Sequence, residues 1–363
     1  MNEPTAIEAS EHVRPPRLNN LQVLRALAAL GVVYFHTSYH LFGLQPFGGF
    51  SGVHVFFVIS GFIMAMLVTS GQTQFFRRRL IRILPLYWTA TCAVFLVAAV
   101  APALVKFTRP YPVQLIKSLL FIPFRKQGGL IQPVLFLGWT LNFEMFFYAA
   151  IAAALVMSRK KPLWVTVALI VSVNCVCSFF RHGSDIADFY SAPTVYDFLL
   201  GLVAYWVYRK VPTGSARRMR YPLGVVAGVG LFTLVALEGE GYITSPLLAT
   251  LYLGGISLAI VSSLSLLSKG SADIKVGWLI AVGDASYALY LIHPFIEPTL
   301  EKLLAPRWPW LSFQHWPGVV ISLCASVIAS VVVHQRFERP ITGFLTRKFV
   351  RRDPTKAAAP AVA

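Results

Sequence analysis

Between positions 21 and 333 the chain returns again and again to apolar runs close to the length of one bilayer crossing. A helix needs about 20 apolar residues to traverse the hydrocarbon layer. Such runs cover 21–41, 52–69, 84–105, 138–157, 163–180, 193–208, 222–237, 246–267, 277–300 and 317–333. The pattern predicts an all-α, polytopic transmembrane helix bundle of about ten spans, with 193–208 a short one. Composition agrees. Charged residues make up 13% of the chain and hydrophobic residues 56%, whereas soluble domains carry roughly 25% charged residues.

A net charge of +17 would suit a nucleic-acid binder, but the placement of the charges excludes that reading. With the N-terminus in the cytoplasm and sides alternating, the inner segments hold Arg77, Arg78, Arg79 and Arg82, then Arg159, Lys160 and Lys161. They continue with Arg209, Lys210, Arg217, Arg218 and Arg220, and a tail containing Arg336, Arg339, Arg347, Lys348, Arg351 and Arg352. The outer segments are poorer in basic residues, which is the positive-inside bias, and both termini are expected in the cytoplasm. No cleavable leader pattern precedes the first run, so that run is expected to be a retained span. The expected organisation is a cytoplasmic segment 1–20, one membrane domain 21–340, and a basic, disordered tail 341–363. Cys92, Cys175, Cys177 and Cys324 all fall within expected helices and read as small apolar residues, without a disulfide framework or a metal site.

Ionisable side chains inside hydrocarbon are costly, so each marks a candidate function. The first run carries Arg25 and, eleven residues later, His36. Eleven residues are about three turns, or about 16 Å, which puts both on nearly one face at different depths. His40 follows His36 by four residues, but no glutamate or cysteine pattern supports a metal. His54 sits near the outer end of the second run, where a solvated role is expected. Arg79 and Arg82 share a helical face at the cytoplasmic surface, and paired guanidinium forks suit a phosphate. Glu144 lies among aromatics and needs a partner or a proton, with Arg25, His36 and His293 as candidates. His293 precedes Pro294 inside another run. The polar interruption from Lys106 to Leu137 is long enough to form a short helix and a loop over the outer mouth.

Taken in order, several segments resemble the acyltransferase-3 family of integral membrane acyltransferases. They are the Leu24-Arg25-Ala26-Leu27-Ala28 stretch with His36, then Phe56-Phe57-Val58-Ile59-Ser60-Gly61-Phe62, and Arg78 to Ile83 before Pro85. Trp139-Thr140-Leu141-Asn142-Phe143-Glu144 and Ser286-Tyr287 through His293-Pro294 complete the set. Each motif alone is weak, but the ordered set spans nearly the whole chain. The nearest likeness is to the bacterial exopolysaccharide O-acetyltransferase branch.

The resemblance implies a multi-pass protein of the bacterial inner membrane. It implies transfer of an acetyl or similar acyl group from cytoplasmic acyl-CoA to a hydroxyl of an exopolysaccharide, another envelope glycan or a lipid-linked saccharide. Acetyl-CoA is then the expected donor, without a metal, and polysaccharide-assembly proteins are conceivable partners. The family's arginine and histidine map onto Arg25 and His36, and its cytoplasmic Arg-x-x-Arg onto Arg79 and Arg82. His36 is expected to act as a base or to carry the acyl group itself. Arg25 is expected to line the way in for the CoA arm. A transporter or flippase of lipid-linked saccharide is the competing class, but it would show internal repeats, and none is evident.

The topology is testable by cysteine labelling on a background without the native cysteines. Cysteines introduced at Ser158 and Ser215 are expected to be protected from an impermeant reagent in intact cells, and one at Gly239 to react. The reverse pattern would invert the orientation and remove Arg79 and Arg82 from cytoplasmic CoA.

Overall fold

The computed structural model describes residues 16–42, 51–102, 105, 108–239 and 245–350. Among these the chain is helical, with no strand beyond one isolated bridge between Arg125 and Ile131. The helices are α1 (Asn19–Phe42), α2 (Ser51–Thr69), α3 (Phe75–Val100), α4 (Pro112–Leu119), α5 (Gly138–Met157), α6 (Pro162–Phe179), α7 (Asp185–Tyr190) and α8 (Val195–Lys210). They continue with α9 (Thr213–Arg218), α10 (Arg220–Gly239), α11 (Pro246–Ala249), α12 (Gly255–Lys269), α13 (Gly277–Asp284), α14 (Ser286–Leu304), α15 (Trp316–Val333) and α16 (Arg339–Phe349). Wide π turns, Thr250–Gly254 and His334–Glu338, join α11 to α12 and α15 to α16.

Seven helices among the described residues are long and apolar enough to cross a membrane, and α13 with α14 makes eight if that bent pair is one span. The expected spans that fall short are α8, which has 16 residues, and α1, whose Asn20, Gln22, Arg25 and His36 dilute its hydropathy. Both are nevertheless built into the bundle. α1 packs against α2, α13, α14 and α15, and α8 packs against α2 and α12. Of the tail expected to be disordered from 341, the part up to Phe349 is helical. Residues 351–363, the His40 side chain, Lys106 and Glu240 lie outside the described residues.

Burial is radial, as a bilayer solvent requires. The peripheral α10 turns Val225, Val229, Phe232 and Val235 outward, while α2 is buried along most of its length. One side of α2 meets α8 at very short range. A Cβ on Gly61 would stand 2.1 Å from the Phe198 carbonyl oxygen, and one on Gly201 would stand 2.2 Å from that of Val58. Small residues let helix backbones close together where no hydrophobic drive separates protein from lipid.

The same α2–α8 seam holds His54, and here the expectation of a solvated histidine is overturned. His54 is buried, and its Nδ1 lies 2.6 Å from Oδ2 of the fully buried Asp197. A carboxylate placed in the bundle interior by α8 needs a partner, and the histidine on the α2 face toward α8 supplies it. The opposite face of α2, with Val53, Phe56, Phe57 and Ser60, looks into a cavity.

A second close approach shapes the α13–α14 bend. The two helices meet at 75°, and a Cβ on Gly283 would stand 2.0 Å from the Gln22 carbonyl oxygen of α1. The bend starts α14 at Ser286, beside Arg25.

The α2–α8 seam generates a stability prediction. Gly201→Ala is expected to destabilise the detergent-solubilised protein by about 1–3 kcal/mol, read as a lower thermal midpoint. Gly224→Ala, where a Cβ meets nothing within 4 Å, is expected to leave the midpoint unchanged. Equal effects at the two positions would mean that the close crossing does not limit stability.

Candidate functional site

A cavity of about 290 Å³ opens between α1, α2, α3, α5 and α14. Four arginines line it: Arg17 just ahead of α1, which pairs with Asp284 at 2.7 Å, Arg25 from α1, and Arg79 and Arg82 from α3. The sequence gives α3 four arginines at its start, and the helical repeat sorts them. Arg79 and Arg82 turn inward. Arg77 donates to the Phe349 carbonyl oxygen at 2.7 Å, and Arg78 to that of Thr73 at 3.2 Å.

Each cavity arginine meets a different environment. Arg25 donates to Ser286 Oγ at 2.9 Å and to Gln22 Oε1 at 3.3 Å. It also feels repulsion from Arg82 and attraction from Glu144. Arg79 interacts with Tyr148, Arg82 and Glu144, and its Nε is buried without a hydrogen-bond partner among the described residues. Glu144 is the carboxylate that lines the same cavity. It accepts from Ser60 Oγ at 3.4 Å and from the Tyr148 hydroxyl. Of the partners expected for Glu144, the structure brings Arg25 into the same cavity and neither histidine.

The histidines meet one another farther along α1 and α14. The ring centroids of His36 and His293 are 5.3 Å apart. His293 Nδ1 lies 3.1 Å from the Leu289 carbonyl oxygen, a hydrogen bond that places the ring proton on Nδ1 in the neutral tautomer. Its buried Nε2 has no hydrogen-bond partner among the described residues. One residue beyond His36, Thr37 Oγ1 stands 3.0 Å from Oε1 of the buried Glu297. The contacts Arg25–Ser286, His36–His293 and Thr37–Glu297 ascend together along both helices. α1 and α14 therefore run parallel, and their pairing carries the chain of polar groups from the arginine cavity to the histidines.

Tyr290 stands between the two ends. It lines the cavity, and its ring centroid is 6.3 Å from that of His293. Its hydroxyl donates to the Leu137 carbonyl oxygen at 3.2 Å and accepts from Thr140 Oγ1 at 3.0 Å.

The polar interruption before α5 does form a short helix, α4, followed by a loop. Tyr87 of α3 donates to the Ser118 carbonyl oxygen at 3.1 Å, and Ser118 Oγ accepts from the Val134 amide at 2.9 Å. Buried Lys126 donates to Thr108 Oγ1 and to the Val134 carbonyl oxygen, each at 3.2 Å. Burial pushes its ammonium down to about 8 from an ordinary value of 10.5. Outside, Arg125 reaches Asp188 at 2.5 Å and Asp185 at 3.2 Å on α7. The loop so fixed delivers Phe136 edge-on to His36, with centroids 5.8 Å apart.

The sequence reading named Arg25, His36, Arg79, Arg82, Glu144 and His293, and missed Tyr148, Tyr290 and Glu297. Glu297 lies one helical turn after His293, and that i,i+4 spacing was a usable signal. Tyr148 stands at the same i,i+4 spacing from Glu144 on α5, a signal also available, whereas Tyr290 had none, because only the fold turns its hydroxyl toward Leu137.

Comparison with known proteins supplies the family. The acyltransferase-domain profile of the acyltransferase-3 family matches residues 18–335. The exopolysaccharide production protein ExoZ of Rhizobium meliloti is 33% identical over 70% of this chain and 78% of its own length. The acyltransferase MdmB of Streptomyces mycarofaciens is 26% identical over 92% of this chain and 94% of its own. The peptidoglycan O-acetyltransferase OatA of Listeria monocytogenes is 25% identical over 89% of this chain and 56% of its own. No solved structure matches. With the match running from the foot of α1 into the π turn after α15, and with every motif residue of the cavity and the histidine pair inside it, the chain belongs to the acyltransferase-3 family and is an acyltransferase.

Proposed function

We propose that this chain moves an acetyl or similar short acyl group from cytoplasmic acyl-CoA to a hydroxyl of an exopolysaccharide or related envelope glycan. The names of ExoZ and OatA support a glycan acceptor. The observation that carries the reading is the two-ended site, with four arginines in one cavity, Arg79 and Arg82 among them, and a histidine pair beyond Tyr290. Phosphates of CoA are the natural ligands of paired guanidinium forks, and a neutral imidazole is the natural base for a sugar hydroxyl. The proposed protein occupies the bacterial inner membrane with both termini in the cytoplasm and 21–340 as its membrane acyltransferase domain. Arg79 and Arg82 then face the cytoplasmic supply of donor, and polysaccharide-assembly proteins supply the acceptor.

In the proposed reaction Arg79 and Arg82 hold CoA phosphate, and Arg25 continues the cationic lining toward the thioester. Glu144, bonded by Ser60 and Tyr148, orders these arginines. His36 takes the proton of the acceptor hydroxyl as its oxygen attacks the acyl carbon. The C–O bond forms, the C–S bond breaks, and the proton passes to the departing CoA thiolate. The same geometry admits two half-reactions, with the acyl group held first on His36 nitrogen. His293, packed on His36 with its Nδ1 proton committed to Leu289, orients the imidazole.

Two predictions separate the ends of the site. His36→Ala is expected to lower CoA release by about 10²–10⁴-fold with membrane insertion and protein amount unchanged, and His293→Ala to lose less. Near-normal turnover in His36→Ala would remove the base and carrier roles, while equal losses would make both histidines chemical participants.

For the donor end, Arg79→Ala or Arg82→Ala is expected to weaken acyl-CoA binding by about 10-fold or more, since a hydrogen bond to a charged group contributes roughly 1.5–3 kcal/mol. Lysine at either position is expected to restore only part of it, because the planar fork is lost. Unchanged CoA affinity in the double alanine variant, measured by equilibrium binding, would reduce the pair to a topology signal.

A further inference from the structure

An acyl carbonyl bound in the arginine cavity has to meet the histidine pair, and one side chain occupies the boundary between them. Tyr290, Phe56 and Thr140 line the cavity, while His36 and His293 do not. The Tyr290 ring is buried, 6.4 Å from the Phe56 centroid on one side and 6.3 Å from the His293 centroid on the other. Its hydroxyl is tied to Thr140 and to the Leu137 carbonyl oxygen. Phe56 is itself packed against the buried cluster to which α1 contributes Ala26, Ala29 and Val33. Neither ring can swing aside without breaking a hydrogen bond or disturbing packing in the α1 contact.

We infer that Tyr290, backed by Phe56, sets the length of the acyl group this enzyme accepts. The inference rests on the proposed acyl-CoA reaction. A thioester carbonyl that reaches the histidines past Tyr290 leaves only the space beside the two rings for the rest of the acyl chain. Acetyl adds one methyl beyond its carbonyl. Butyryl adds two further methylenes, and these have to displace a ring held at both ends. One methylene in an apolar pocket discriminates by about 10–200-fold. The arginines hold the CoA end in the same place for every donor, so the discrimination falls on the acyl end alone.

The test uses inside-out vesicles from the producing cell, which carry the native acceptor. Vesicles lacking the chain provide the background. Acetyl-, butyryl- and hexanoyl-CoA are supplied, and free CoA is read with a thiol reagent. The wild type is expected to favour acetyl over butyryl by about 10-fold or more. Tyr290→Ala is expected to raise the butyryl-to-acetyl ratio of kcat/KM by at least about 10-fold. Tyr290→Phe, which keeps the ring, is expected to leave that ratio near the wild-type value. If Tyr290→Ala does not fold, Phe56→Ala opens the same boundary from α2 and carries the same expected shift. A wild type that uses butyryl-CoA as well as acetyl-CoA overturns the inference, as does an unchanged ratio in the folded alanine variant. Release of CoA from no donor by the wild type overturns the acyl-CoA reading instead.

Discussion

Three guanidinium groups within one helix bundle are the constraint around which this structure is arranged. A bare cation in a low-dielectric interior is strongly penalised, and only partners or solvent make it tolerable. Arg25 has Ser286 and Gln22, and Glu144 lines the same cavity with Ser60 and Tyr148 on its oxygen. Glu144 is the one carboxylate lining the cavity against four arginines, of which Arg17 is paired with Asp284, so the cavity is net positive. A site built only for stability would balance its charges. The excess makes the cavity receptive to an anion, the place the proposed reaction gives to CoA phosphate.

Meeting that constraint fixes the backbone around it. Ser286 reaches Arg25 only because α13 and α14 bend by 75° and Gly283 lets α13 rest on the Gln22 backbone. Once α14 starts there, its parallel course along α1 brings His293 to His36 and Glu297 to Thr37. The histidine pair is thus a consequence of the same helix pairing that positions the arginine. On the other side α2 serves two masters. One face closes on α8 through Gly61, Gly201 and the His54–Asp197 pair. The opposite face supplies Phe56 and Ser60 to the cavity.

Much of this was legible in the sequence because membrane residence makes charge conspicuous. Arg25, His36, Glu144 and His293 stand out against apolar neighbours, whereas spacing alone did not single out Arg79 and Arg82, because Arg78 also shares a face with Arg82; the family resemblance did. His54 was misread for an instructive reason. Its partner Asp197 is more than a hundred residues away on α8, and nothing local to either residue reveals the pairing, so position near a span end suggested solvent. The Tyr290 hydroxyl escaped notice because its partner Leu137 is far away in the chain, whereas Tyr148 was within reach of a helical-spacing argument from Glu144. The weak hydropathy of α1 points the same way. The polar residues that make it a poor transmembrane helix by composition are the ones the bundle interior uses.

The separation of the two ends has a chemical consequence. Near the arginines a hydroxyl's proton would find no neutral base, and the cationic field would disfavour creating an imidazolium. In the proposed reaction, placing the histidines beyond Tyr290, about three helical turns from Arg25 along α1, moves proton transfer out of that field. It also puts the imidazoles under a loop instead of under the donor, because Phe136 covers His36 from the segment that Lys126 and Ser118 pin at Val134. A donor entering through the arginines and an acceptor arriving past that loop would approach the histidine pair from opposite ends. In that proposal the acyl group transferred is the only part of either substrate that has to pass the tyrosine.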